Sequence, residues 1–271
     1  MKIQKVGDSL TVGLQYHPLS FAAGLVPYTA SWVGQGYGGY QVNAFGPPRD
    51  FSSQGPQFHP TKGAFAVYQE EMPDLVHILG GTNDIASGVS PATVMDRLNA
   101  LLMGFSQIPR TDGKAVMFAL IPPPPMGANV SFKSSGMTAD KCNAAITDLT
   151  SRMQGFCQSK GIAFIPNGII SSDLSADGIH LTSVGYDKLA TAIGKGLSSY
   201  LAVNSVSVTP PTPVVNPANV FSSIPVPHPP PPPSPVPSLQ AGVAKKSSAS
   251  GLVLGVAALG AAVLLLGRRG S

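Results

Sequence analysis

Over the first two hundred residues, short apolar runs alternate with stretches of helical spacing. Residues 2–6 alternate apolar and polar as a strand does and run into the turn residues Gly7-Asp8-Ser9. Residues 19–32 read as the first helix. Residues 33–63 are rich in glycine and proline and read as a long loop with one short strand, 40–45. A short helix is expected over 64–72 and a buried strand over 75–79. Ser90 caps a helix running to Phe105, with Pro91 in its first turn and Val94, Leu98, Leu101 and Leu102 at helical spacing. A further apolar strand over 115–121 is stopped by the prolines 122–125. An amphipathic helix over 138–160, a last strand over 161–165 and a closing helix over 181–201 complete the pattern. Strands alternating with helices imply a parallel sheet covered on both faces.

After residue 201 the pattern changes. Residues 209–238 hold 13 of the 27 prolines, which favours extended polyproline chain over a packed core. Residues 251–267 carry no charge and end at Arg268-Arg269. Seventeen residues are at the short end of a bilayer span, but glycine and alanine suit close helix packing in lipid. The expected organisation is therefore a domain over 1–203, a proline-rich spacer over 204–250, a transmembrane helix over 251–267 and a basic end over 268–271. Lys245 and Lys246 flank one side of that helix and the two arginines the other, so its orientation is left open. No leader with a charged start and an apolar stretch precedes residue 7, so no amino-terminal signal peptide is expected.

Charge sharpens this division. All 13 acidic residues precede residue 202, and four of the 17 basic ones follow it, so the folded part is neutral. A neutral domain without a basic face is not expected to bind nucleic acid. Cys142 and Cys157 bracket one predicted helix, about 22 Å apart along its axis, too far for a disulfide.

Three stretches carry chemistry. Gly7-Asp8-Ser9-Leu10-Thr11-Val12-Gly13 places a serine at the carboxyl end of a strand, facing the crevice where open α/β sheets bind ligands. Gly80-Gly81-Thr82-Asn83-Asp84 ends the strand over 75–79, and Asp177-Gly178-Ile179-His180-Leu181-Thr182 sets a carboxylate three residues before a histidine. In this order the chain resembles the SGNH (GDSL) hydrolases, a family named for a serine, a glycine, an asparagine and a histidine in four sequence blocks. The resemblance covers residues 1 to about 200 and implies a flavodoxin-like three-layer α/β/α sandwich around a five-stranded parallel sheet, to which the carboxy-terminal single helix is added.

It also implies roles. Ser9 is the nucleophile, His180 the base and Asp177 its orienting carboxylate, with Asp173 a weaker competitor on the same loop. The oxyanion hole is expected from the Ser9 N–H, the Asn83 side chain and a glycine. Residues 42–46 followed by His59 to Gly63 resemble the layout of acetyl-carbohydrate esterases in the family. On that alignment Gly63 is the oxyanion glycine and Gly46 a turn glycine, with Gly46 as the alternative. The serine and second glycine usual in that block are missing. Asp8, Gly46, His59 and Thr82 are candidates for the substrate mouth, with Asp8 expected rather to brace the turn than to act in chemistry. Of the other histidines, His77 is expected to pack in a strand, His17 to be solvated and His228 to lie in the spacer.

No G-x-S-x-G elbow, metal-spaced cluster, P-loop or dinucleotide fingerprint occurs, so no cofactor is expected. The expectation is a serine esterase acting on acyl, first of all acetyl, esters of carbohydrate. A lipid-directed lysophospholipase or thioesterase is the alternative within the family. A membrane- or virion-anchored structural or binding module with secondary hydrolase activity is the alternative from another class, and self-association through the last helix is a further expected partner.

Overall fold

The computed structural model of the chain describes residues 1–48 and 62–204. The expected spacer, the expected membrane helix and His59 lie outside them. Among the described residues, no helix is long and apolar enough to cross a membrane.

In chain order the elements are β1 (Lys2–Gly7), α1 (Ser9–Leu14), α2 (Pro18–Leu25), β2 (Ser31–Gly36), α3 (Ala64–Glu71), β3 (Leu75–Leu79), α4 (Thr82–Ala86) and α5 (Pro91–Ser106). There follow β4 (Met117–Ile121), a small hairpin of β5 (Ser131–Phe132) and β6 (Met137–Thr138), α6 (Ala139–Lys160), β7 (Ala163–Phe164) and α7 (Ser183–Asn204). Five strands form one parallel sheet in the order β2-β1-β3-β4-β7. Helices cover both faces. Leu10, Phe21, Leu25, Leu189, Ile193 and Leu197 bring α1, α2 and α7 onto one face. Tyr68, Leu98, Phe105, Ile146, Leu149 and Met153 bring α3, α5 and α6 onto the other. β3 is buried along its whole length, as a central strand between two helix layers must be.

The strand order reverses direction between β1 and β3. Such a switch point opens a crevice beyond the carboxyl ends of the strands. Both strands end there in polar turns, Asp8-Ser9 after β1 and Thr82-Asn83 after β3. The two ends lie so close that a Cβ at Gly7 would sit 2.0 Å from the Leu79 carbonyl oxygen, so only glycine fits. Gly81 precedes α4 with φ at 111°, a left-handed conformation that glycine adopts freely.

Two sequence readings are corrected between residues 19 and 45. The helix expected over 19–32 ends at Leu25, before Pro27, and Ser31–Gly36 is instead edge strand β2. The strand expected over 40–45 is a 3-10 turn at Val42–Ala44. β2 already occupies that edge of the sheet, and the Val42 N–H donates to the buried Asp84 carboxylate at 3.0 Å rather than to a strand. The helices expected over 90–105 and 138–160 form, the first with the cap read from the sequence, Ser90 accepting from the Thr93 N–H, and the second with Thr138 accepting from the Lys141 N–H. Cys142 and Cys157 are buried free thiols on α6, and burial pushes the Cys157 thiol up to about 12.

Candidate active site

Asp8 caps α1. Its carboxylate accepts from the Leu10 N–H at 3.0 Å and is wholly buried, so it braces the turn and does not line the surface. Burial lifts this carboxyl to about 6 against the pull of the Leu10 N–H. With its turn fixed, α1 opens on Ser9, whose N–H has no acceptor within the helix.

The loop after β7 brings the histidine across 171 residues of chain: His180 Nε2 lies 3.0 Å from Ser9 Oγ. On the other side of the ring, Nδ1 lies 2.6 Å from Asp177 Oδ2. The second oxygen of Asp177 accepts from the Ser175 hydroxyl at 2.7 Å and from the Ile179 and His180 N–H groups at 2.9 Å each. Burial favours the neutral carboxyl, but these donors and the His180 ring hold Asp177 well below the usual carboxylate range. Asp173 is occupied elsewhere, with Lys188 Nζ at 2.7 Å and the Ile170 N–H at 2.9 Å. Serine, imidazole and carboxylate thus form one hydrogen-bonded line, the arrangement in which a base can take the serine proton and a carboxylate steady the resulting imidazolium.

Asn83 stands at the start of α4 with its amide donating to the Tyr40 carbonyl at 3.0 Å. One N–H is used in that bond and the second remains. Thr82 beside it is 3% exposed and packs inside, so the expectation that it lines a substrate mouth is corrected.

The two candidate glycines meet each other. A Cβ at Gly63 would lie 2.3 Å from the Gly46 and Pro47 carbonyl oxygens, and the Phe65 N–H donates to the Gly46 carbonyl. Gly46 borders a depression with Phe65, Arg97 and Leu101. The loop that does reach the crevice leaves β2. The Tyr37 N–H donates to the Gly7 carbonyl at 2.6 Å, which carries the Gly38–Gly39 turn past the end of β1. Gly39 and Asn83 border one depression of about 340 Å³, shared with Ser87, Phe132, Ser134 and Ser135. Sequence reading missed this turn because β2, with Gly34 and Gly36 inside it, lacks an apolar alternation.

Three supports were also not read from the sequence. Asp84, fully buried, is paired with Arg97 Nη1 at 2.5 Å, and the same nitrogen donates to Gln41 at 2.8 Å, which fastens residues 40–44 to α4 and α5. The segment before α6 is tied at both ends of the crevice. Gly127 N–H donates to the Gly178 carbonyl at 2.7 Å, and Ser135 Oγ to the Ala86 carbonyl at 2.6 Å. Tyr186, on α7, lies against α1 so tightly that a Cβ at Gly13 would be 2.1 Å from its ring. Burial pushes its hydroxyl up to about 12, opposed by a hydrogen bond from the Leu181 backbone next to His180. Tyr186 therefore touches both the helix that carries Ser9 and the loop that carries His180.

With this geometry in place, the sequence can be set beside known proteins. The chain belongs to the GDSL-like Lipase/Acylhydrolase family, whose sequence model matches residues 6–188. It is a carboxylic ester hydrolase of that class. Among solved structures, an aryl esterase from M. smegmatis is similar at 20% identity and a TM-score of 0.55, covering 74% of this chain and 99% of its own. A carbohydrate acetylesterase from Sinorhizobium meliloti is similar at 18% identity and a TM-score of 0.55, covering 73% and 98%. An acetylxylan esterase from Geobacillus stearothermophilus is similar at 14% identity and a TM-score of 0.50, covering 72% and 93%. At these identities the likeness is one of fold. No curated protein matches the sequence.

Proposed function

We propose that the protein removes small acyl groups, acetyl first among them, from carbohydrate esters through a Ser9–His180–Asp177 triad. The observation that carries this reading is the line Ser9 Oγ–His180 Nε2 and His180 Nδ1–Asp177 Oδ2, at 3.0 and 2.6 Å. Ser9 Oγ attacks the ester carbonyl carbon while its proton passes to His180 Nε2. The negative charge that develops on the carbonyl oxygen is met by the Ser9 N–H, the second Asn83 amide N–H and the Gly39 N–H of the turn beside Asn83. That turn takes the role first sought at Gly63 or Gly46. His180 then hands its proton to the departing alcohol oxygen. A water molecule, deprotonated by the same nitrogen, cleaves the acyl–Ser9 bond, and the acid and free serine result. Asp177 keeps the imidazole oriented and stabilises its charged form.

The carbohydrate assignment is supported by the depression beside Asn83, whose hydroxyls and single aromatic ring suit a sugar better than a fatty chain. Two of the similar structures are named as acting on acetylated carbohydrate. The charge-free stretch 251–267 would tether the enzyme to a membrane at the end of its proline-rich spacer. The test compares the full chain with Ser9→Ala on nitrophenyl acetate and octanoate and on acetylated xylan. Acetate release from xylan, with acetate favoured over octanoate and both activities lost in Ser9→Ala, is the expected result. A preference for octanoate with xylan untouched would overturn the carbohydrate assignment.

A further inference from the structure

The sheet face covered by α1, α2 and α7 holds two polar side chains where its pattern calls for apolar ones. Lys5 on β1 and His77 on β3 are register partners, and both point into this layer with Trp32 of β2. Between them and Leu14, Phe21 and Ile193 of the covering helices is a cavity of about 150 Å³. Its ring-lined corner is fixed by edge-to-face contacts, Trp32 against Phe21 at 4.0 Å and against His77 at 5.8 Å.

Neither polar group is satisfied by the described residues. The Lys5 ammonium has no hydrogen bond or ion pair there, and its one partner is the Trp32 ring, 5.5 Å away. His77 is 1% exposed, and its Nδ1 has no hydrogen-bond partner. Burial and the nearby Lys5 hold its imidazole down to about 3, so the ring is neutral and can present either nitrogen as a donor. Lys5 is half-buried without a counter-charge and His77 holds a buried nitrogen without a partner, and a single anion would relieve both. Apart from Gln15, the rest of the wall is apolar, which admits a carboxylate on a small hydrocarbon body and disfavours a strongly hydrated dianion. A cavity of about 150 Å³ lined by apolar side chains takes a molecule of roughly the size of benzene.

We propose that this cavity is a second binding site, separate from Ser9, for a small apolar monocarboxylate held by Lys5 and His77. The inference does not rest on the acyl-transfer reading, although ester hydrolysis releases acids of this class.

Trp32 is the chain's single tryptophan and lies in the cavity wall, so its emission reports occupancy directly. The full chain is titrated with butyrate, with butanol and inorganic phosphate as controls. Lys5→Met, which keeps the length of the side chain and removes its charge, is titrated in parallel. A saturable emission change with butyrate alone, at least tenfold weaker in Lys5→Met, is the expected result. Lys5→Met should still hydrolyse nitrophenyl acetate at close to the wild-type rate, which separates this site from the catalytic one. The absence of a saturable response, an equal response to butanol or phosphate, or equal affinity in Lys5→Met would each overturn the proposal. Should Lys5→Met fail to fold, the comparison of butyrate with butanol on the wild-type chain still decides.

Discussion

The molecule contains two clusters of the same three residue types, and only one is arranged for catalysis. In the first, His180 stands between Ser9 and Asp177, with one ring nitrogen on each. In the second, Asp187 stands between the other two: its Oδ1 accepts from Ser20 and lies 2.9 Å from His17 Nδ1. His17 stacks on Tyr186 with ring centroids 5.5 Å apart, so the histidine expected to be solvated is instead part of the α2–α7 contact. A serine bonded to a carboxylate has a proton acceptor of low basicity and no imidazole to carry charge. A serine bonded to imidazole has a base that titrates near neutrality and can return the proton. Composition alone therefore does not make a triad, and the order of contact does.

The comparison is broken most sharply by single substitutions within each cluster. Ser9→Ala and His180→Ala should each lower kcat for nitrophenyl acetate by about 10⁴- to 10⁶-fold, and Asp177→Asn by about 10⁴-fold. Asp187→Asn, in the other cluster, should leave kcat within about threefold and move the urea unfolding midpoint little, as for an exposed pair. A large loss of kcat in Asp187→Asn would join the two clusters functionally. Next in size, Asn83→Ala should cost about 10²- to 10³-fold in kcat with little change in KM, the signature of a donor that acts in the transition state. Tyr186→Leu withdraws the ring from α1 and the hydroxyl from Leu181, and loosened alignment should lower kcat by roughly 10-fold at unchanged KM. Tyr186→Phe keeps the ring and should recover most of that loss. If Tyr186→Leu instead raises KM alone, the ring acts on substrate binding and not on alignment.

Asp8 gives a pH test. Its folded pKa of about 6 lies above the ordinary 3.8, so the folded chain holds an extra proton between those values. Stability from this group is full below about pH 4 and declines as pH rises through 6, by about 3 kcal/mol in all. Asp8→Asn keeps the acceptor for the Leu10 N–H and removes the charge. It should match the wild type in urea unfolding at pH 4 and exceed it at pH 8, and an equal difference at both would sink the assignment.

How much of this was legible depends on how local each feature is. Ser9, Asn83, Asp177 and His180 sit in short contiguous turns after strands, and one turn of chain contains both the residue and what shapes it. Asp177 and His180 are three residues apart, and the loop alone brings carboxylate to ring. The Gly38–Gly39 turn depends on β2 pairing with β1, and the Ser31–Gly36 strand is recognisable only once β1 is beside it. Tyr186 was read as one more residue of a closing helix because its partner, Gly13, is far away in sequence. The same holds for Lys5: alternation predicts a strand there, but a charge facing inward shows only when the helices are placed.

The 171 residues between Ser9 and His180 also bear on synthesis. The nucleophile is made well before its base, which follows after most of the domain, roughly 10–30 s later at about 5–20 residues per second. Until α7 packs against α2, where Gly24 and Gly194 bring the two backbones into contact, the His180 loop lacks the helix that holds its far end. A ribosome-bound chain is therefore inert toward esters until its fold closes, and the onset of hydrolysis during translation times the docking of the last helix.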